Sequence, residues 1–139
     1  MKRDCIIVTI RRNVKRKIFI EDIVYCKAKN TSTSIKLRND ISFWISKPLK
    51  EIQKELSNYL FCRINRSYLI NMNYAIEIQK NGHATIKLVE NSVFRISKNQ
   101  KKLIEECFLK QAKVDLLIEK GISHIEKAPS QGEKGVSHI

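Results

Sequence analysis

The chain has 139 residues, enough for one ordinary domain with its own core and short of the usual size of two. Lysine and arginine number 27 against 14 aspartates and glutamates, a formal net charge of +13, so a polyanion is the first partner to expect. No apolar run approaches the length of a membrane span, and the apolar stretch after Met1 is too short for a signal peptide, which indicates a cytoplasmic protein with no membrane partner.

Alternation of apolar and polar residues continues to about residue 97 and predicts a mainly β, mostly antiparallel fold. Ten strands are predicted, in chain order 5–10, 14–20, 22–28, 33–37, 40–46, 60–65, 67–71, 74–80, 83–89 and 92–97. Polar clusters predict turns at 38–40, 80–83 and 90–92. The Asn-Gly pair in the second of these favours a hairpin, because it tolerates positive φ.

Two helices accompany the strands. The stretch SKPLKEIQKELSN predicts a short helix near 48–57, with Ser46 as a candidate N-cap and Pro48 in the first turn. Apolar spacing followed by a glycine predicts a longer helix near 100–120. Its second half is expected either to pack on the domain or to pair with another chain.

These elements divide the chain into three parts: a domain over 1–109, a continuation of the last helix over 110–120, and a flexible tail over 121–139. The tail contains an imperfect repeat, since EKGISHI at 119–125 returns as EKGVSHI at 133–139. Two copies are too few for a solenoid. Residues 1–109 carry almost all of the net charge.

Catalytic and metal-binding functions have little support in the sequence. The four cysteines are far apart, no C-x-x-C occurs, and no histidine stands at ligand spacing, so reduced and mostly buried thiols are expected instead of a zinc site. No phosphate-binding glycine loop and no nucleophile with a base is present. The sequence predicts a protein that is not an enzyme and needs no cofactor.

Three basic segments favour nucleic acid as the partner: KAKNTSTS at 27–34, RINRSY at 63–68 and RISKNQKK at 95–102. Each combines Lys or Arg, which suit phosphates, with small polar side chains that can hydrogen-bond base edges or the sugar-phosphate backbone. Lys29 and Asn30 of the first segment and Lys101 of the third belong to this predicted surface. Any one segment alone is more typical of a solvated face.

Arg63 and Arg66 of the middle segment are expected to have different roles. Their positions differ by three, so they point to opposite faces of a straight strand. Arg63 lies in phase with Phe61 and is predicted to be an internal anchor that binds a carboxylate or carbonyls. Arg66 lies at the strand break and is better placed to meet DNA.

Several motifs in a fixed order resemble the LytTR family of bacterial DNA-binding domains over about residues 5–108. They are D-I-x-Y at 22–25, R-x-x-R-S-Y-L-I-N at 63–71 and I-S-K at 96–98. The resemblance implies an elongated, mainly β fold of about ten strands in small antiparallel sheets, with loops from one edge entering successive grooves of double-stranded DNA. It also implies sequence-specific binding by a bacterial transcription regulator.

Carried over by position, the DNA-facing loops of the family fall on Ser32, Thr33, Ser34, Asn65, Arg66, Lys98 and Asn99. Asn65 stands where the family often has histidine, Lys98 where it often has arginine and Arg95 where it often has proline. Lysine lacks the planar fork that binds guanine bidentately, so Lys98 is expected to bind phosphate.

The sequence leaves several alternatives open. A basic β protein that binds RNA or single strands would expose aromatic residues, but Phe43, Trp44, Phe61, Tyr68 and Phe94 lie mostly in apolar alternation and are expected in the core. A membrane-surface module ranks third. The family often joins this domain to a receiver domain, for which 139 residues leave no room, so the chain is either a fragment of a response regulator or a stand-alone member. A homodimer partner on DNA is a further expectation for such a regulator, and the sequence does not identify an upstream sensor or regulatory protein.

Overall fold

The structure is a computed structural model that describes residues 3–119, with side chains for 3–111. It contains the ten predicted strands: β1 (Cys5–Arg11), β2 (Val14–Phe19), β3 (Ile23–Lys29), β4 (Ser32–Leu37), β5 (Ser42–Ile45), β6 (Phe61–Arg63), β7 (Tyr68–Asn71), β8 (Ala75–Gln79), β9 (Thr85–Leu88) and β10 (Val93–Arg95). The helices are α1 (Leu49–Glu55) and α2 (Lys101–Glu119). The predicted tail, 121–139, lies outside the described residues.

The strands form three small antiparallel sheets, which confirms the predicted fold class. The central sheet has the strand order β5-β4-β3-β7-β6. The β1–β2 hairpin forms a two-stranded sheet, and β10-β9-β8 forms a three-stranded one. Most neighbouring strands are close in sequence, so their pairing follows from short connections.

Two clusters of buried side chains lie on opposite faces of the central sheet. The first core cluster joins it to the β1–β2 hairpin and α1: Ile6, Val8, Ile18, Ile20, Ile23, Cys26, Ile35, Ile45, Leu49, Ile52, Leu56 and Leu69. The second core cluster joins it to the three-stranded sheet and α2: Val24, Cys62, Ile64, Ile70, Met72, Ala84, Ile86, Leu88, Ile96 and Ile104. Full burial of an Ile or Leu side chain contributes about 1.5–3 kcal/mol, so these clusters hold the three sheets together.

The start of α1 corrects one prediction. Ser46 is not the N-cap, because the helix begins at Leu49 and its cap is Pro48, with φ −67° and ψ 152°. The Pro48 carbonyl accepts hydrogen bonds from Glu51 N at 3.0 Å and Ile52 N at 3.3 Å. Proline suits this position because its fixed φ is compatible with a helix start and its missing N–H costs nothing there.

The predicted turns are present at their expected places. In the β8–β9 turn Gly82 has φ +66°, a conformation that glycine adopts without strain. Asp40 and Asn91 take φ values of +73° and +76° in the other two turns. Asn and Asp tolerate this left-handed region better than other side chains, which explains why polar clusters mark these turns.

Candidate nucleic-acid interface

A short loop between β6 and β7, residues 64–67, lies at the middle of the candidate site, and we call it the central loop. Arg63, the last residue of β6, holds it in shape. Its Nε donates to the Asn65 carbonyl at 3.1 Å, its Nη2 donates to the Arg66 carbonyl at 2.9 Å, and its Nη1 donates to Gln53 Oε1 at 3.0 Å. Partial burial lowers the pKa of the Arg63 guanidinium from its usual value. The prediction that Arg63 is an internal anchor is confirmed.

Asn65 ties the central loop together from within. Its Oδ1 accepts hydrogen bonds from Ser67 N at 2.8 Å and Tyr68 N at 3.0 Å, and its Nδ2 donates to the Arg95 carbonyl at 2.7 Å. An amide group offers two donor hydrogens and one acceptor oxygen, so a single N–H remains for a ligand. The structure gives Asn65 a positioning role that the sequence did not predict.

Arg66 is the exposed residue of the central loop. Its carbonyl is held by Arg63. Among residues 3–111, no hydrogen bond or ion pair engages its guanidinium, which extends from a loop whose backbone is fixed on both sides. A free planar fork of donors on a rigid base is suited to a phosphate or to a guanine edge.

The third segment, residues 95–102, is hydrogen-bonded to the central loop. Ser97 N donates to the Ile64 carbonyl at 2.9 Å, and Gln100 Nε2 donates to the Arg63 carbonyl at 3.0 Å. Lys98, Asn99 and Lys101 are exposed, and the first turn of α2 contains no acid. Cations at the positive end of a helix cost stability, so their presence favours a role in binding an anion.

The first segment, residues 27–34, forms the turn end of the β3–β4 hairpin. Cross-strand register pairs Lys27 with Ser34 and Lys29 with Ser32, so the four side chains lie on one face. Lys27 and Lys29 are exposed, and both serines are half-buried. Asn30 turns the chain at φ +56° and is also exposed. This face presents cations and hydroxyls side by side.

Thr33 corrects a further prediction. It is fully buried, and its Oγ1 donates to the Lys47 carbonyl at 2.7 Å. Successive strand residues point to opposite faces, so Thr33 lies on the face of the first core cluster, with Ile35, when Ser32 and Ser34 lie on the other face. The predicted DNA contact through Thr33 is therefore wrong for this structure. Its hydroxyl fixes the chain that enters α1 instead.

The structure brings the three segments into one row, with the central loop in the middle. Ala28 N donates to the Ser67 carbonyl at 2.8 Å, which joins the first segment to the central loop. An aromatic cluster underlies the row, since the Tyr68 ring lies 5.9 Å from that of Tyr25 and 4.5 Å from that of Phe94 between centroids. We call the exposed surface of this row the three-segment surface.

Trp44 is not a core residue, contrary to the expectation from its sequence. Trp44 pairs with Ser34 on β5 and is 50% exposed, beside the three-segment surface. Phe43 is half-buried and Ile45 is buried, so alternation along β5 puts Trp44 on the other face. The period-two pattern of SFWI was the signal that would have separated Trp44 from the core residues beside it.

Charge is not neutralised at this site. The ion pairs found among residues 3–111 use five other cations: Arg3, Lys36, Arg38, Lys47 and Lys80. Lys29, Arg66, Lys98 and Lys101 take part in none of them. Since no nearby carboxylate is bound to them, their charges remain available to a polyanion.

The described part of the chain offers few groups for catalysis or metal binding. All four cysteines are free thiols. Burial raises the pKa of Cys26 to about 12, so this thiol is inert, and burial together with a hydrogen bond to Cys107 raises the pKa of Cys62. Within residues 3–119 there is no group of three or more His, Cys, Asp or Glu that could hold a metal, and no helix there is long and apolar enough to cross a membrane.

Comparisons with known proteins agree with this architecture. The family model of the LytTr DNA-binding domain matches residues 14–108. Among solved structures, the chain is similar to the LytTr DNA-binding domain of a protein from Bacillus cereus described as a methyl-accepting/DNA response regulator. The two share 14% sequence identity with a TM-score of 0.62, over 77% of this chain and 97% of that one. No curated protein sequence matches. Because the family model covers more than half of the chain, the protein belongs to the LytTr DNA-binding domain family.

Proposed function

We propose that the three-segment surface binds double-stranded DNA in a sequence-specific manner, with its loops entering successive grooves, and that the protein acts in this way as a bacterial transcription regulator. Membership of a family of DNA-binding regulatory domains supports DNA as the partner. The observation that carries the proposal is the row of unpaired cations held in place by hydrogen bonds between its segments.

Each exposed group of the surface has a role suited to its chemistry. Lys29, Lys98 and Lys101 are point charges that neutralise phosphates. Arg66 can donate two parallel hydrogen bonds, to a phosphate or to the acceptor pair of guanine in the major groove. The Ser32 and Ser34 hydroxyls and the amides of Asn30 and Asn99 can bind sugar-phosphate oxygens or base edges. The proposal includes no catalytic step and no cofactor.

A salt series tests this proposal. About five phosphate contacts release as many condensed cations, so the logarithm of the association constant should fall with the logarithm of salt concentration at a slope of about −4 to −5. Fluorescence anisotropy against a labelled duplex measures it, with a single strand of matched length as the control. A salt-independent affinity for the duplex would contradict the proposal.

A second candidate function, binding of single-stranded nucleic acid or RNA, is favoured by one observation. Trp44 is half exposed next to Ser34, and bases stack well on such a ring. Trp44 is the single tryptophan of the chain, so its fluorescence reports on this position alone. Strong quenching by the single strand, together with affinity equal to or above that for the duplex, would place this candidate first.

A further inference from the structure

The β1–β2 hairpin carries a dense group of cations that belongs to none of the three segments. The stretch RRNVKRK at 11–17 is basic at five of its seven positions, and no acid occurs within 5–20. All five basic side chains are exposed, and we call them the hairpin cations: Arg11, Arg12, Lys15, Arg16 and Lys17. They lie outside the three basic segments and outside the three-segment surface.

The contacts of the hairpin cations do not neutralise their positive charge. None of them takes part in an ion pair in the part of the chain whose side chains are described. Lys15 Nζ donates to Thr9 Oγ1 at 3.2 Å, and the guanidinium of Arg16 lies 5.0 Å from the centroid of the Phe43 ring. Both partners are neutral. Like charges at this density repel one another, and a bound polyanion removes the repulsion.

The hairpin is held firmly on the domain in spite of its charge. Ile6, Val8 and Ile18 are buried in the first core cluster, and Ile6 pairs with Ile18 across the hairpin. Asn13 closes the tip at φ +58°, a left-handed conformation that asparagine tolerates with less strain than a bulkier residue would have. The cations are therefore presented by a fixed element and not by a loose arm.

The hairpin is rooted at the end of the central sheet that is farther from the β3–β4 turn. Ile20 N donates to the Asp4 carbonyl at 3.0 Å there, and the chain then enters β3 at Ile23, which pairs with Leu37. The guanidinium of Arg16 lies over the Phe43 ring. Phe43 pairs with Ile35, which is two residues closer to the β3–β4 turn than Leu37.

The tip of the hairpin therefore extends toward the end of the sheet that carries the three-segment surface. Five residue steps separate Phe19 at the root from Val14 at the tip, and five separate Leu37 from Ser32 at the β3–β4 turn. At about 3.3 Å a step, both distances are roughly 16 Å. The hairpin tip and the β3–β4 turn thus reach a similar level along the sheet.

We infer that the hairpin cations form a second phosphate-binding surface, which contacts the DNA backbone beside the stretch held by the three-segment surface. The inference rests on the proposed function, because it requires a duplex bound at that end of the sheet. Arginines and lysines with few amide or hydroxyl neighbours suit phosphates more than bases, so this contact should be independent of sequence.

The test compares two double variants of equal charge change in the full chain. Arg11→Gln with Arg12→Gln alters the tip and spares Arg16, which packs on Phe43. Lys87→Gln with Lys110→Gln is the matched control, since Lys87 lies on β9 opposite Val93 and Lys110 is exposed on α2. Anisotropy is measured on a mixed-sequence duplex of about 30 base pairs, roughly three helical turns.

The tip variant is expected to bind roughly tenfold more weakly at about 50 mM salt and to flatten the log–log slope by about 2, whereas the control should change either value by less than half as much. Both should melt at the wild-type temperature. Equal losses in the two variants would overturn the inference, because only net charge would matter. Failure of the wild-type chain to bind any duplex would instead overturn the proposed function itself.

A second arm uses vesicles of phosphatidylcholine and phosphatidylserine, which offer phosphates on a membrane surface. The inference expects the tip variant and the control to differ on the duplex and to behave alike on vesicles. A tip variant that keeps its duplex affinity and loses vesicle binding would assign the hairpin cations to a membrane and overturn the inference.

Discussion

Replacement of Arg63 by alanine is expected to lower the free energy of unfolding by about 2 kcal/mol and to weaken duplex binding with it. The guanidinium binds the carbonyls of Asn65 and Arg66 and the side chain of Gln53. Without it, two carbonyls of the central loop lose their donor and the loop loses the group that sets its shape. Chemical denaturation and duplex anisotropy on the same preparation measure both effects.

Two further variants distinguish the contribution of the whole planar guanidinium group from that of one of its hydrogen bonds. Arg63→Lys keeps the charge but cannot reach three acceptors in a plane, so most of the stability loss should remain. Gln53→Ala removes one exposed acceptor and should cost much less, because the two loop carbonyls stay bound. An Arg63→Ala protein that unfolds at the wild-type denaturant concentration would show that the central loop does not depend on this anchor.

Replacement of Arg66 by alanine is expected to weaken duplex binding by about 1 kcal/mol or more and to flatten the salt slope by about 1, with no change in stability. The side chain is exposed and is bound to no group in the part of the chain with described side chains, so its removal should not change the free energy of unfolding. Anisotropy across a salt series measures the binding, and a thermal melt measures the stability.

Arg66→Lys and Lys87→Ala serve as controls for this prediction. Arg66→Lys should restore the salt slope without restoring full affinity for a preferred sequence, because an ammonium group contacts phosphate but lacks the planar fork. Lys87→Ala should leave binding close to wild type. If Arg66→Ala melts early and Arg63→Ala only weakens binding, the roles of the two arginines are reversed; if neither changes binding, the central loop lies outside the interface.

The strands were predictable because their signal is local. Alternation along each strand located all ten, and the polar clusters located the turns between them. The cap of α1 was less predictable, since Ser46 and Pro48 both suit a helix start. The hydroxyl of Thr33, distant in sequence, binds the Lys47 carbonyl just before Pro48, and no local pattern shows that contact.

The candidate site was predictable in its location more than in its individual roles. All three basic segments meet, but Asn65 donates to a carbonyl 30 residues away, so most of its hydrogen-bonding groups position the central loop and one N–H remains for a ligand. Period two separates Thr33 from Ser32 and Ser34, although the loop positions of the family include all three. The exposure of Trp44 likewise follows its phase on β5 and not its apolar character.

A map of backbone amide chemical shifts in the labelled protein, recorded with and without a saturating duplex, locates the DNA-binding surface residue by residue. We expect the largest changes within 29–34, 64–67 and 97–101, with smaller ones at the tip of the β1–β2 hairpin. Changes confined to α1, or to the end of the three-stranded sheet around Lys87, would show that DNA binds a surface that the three basic segments do not form, and the proposed interface would be wrong.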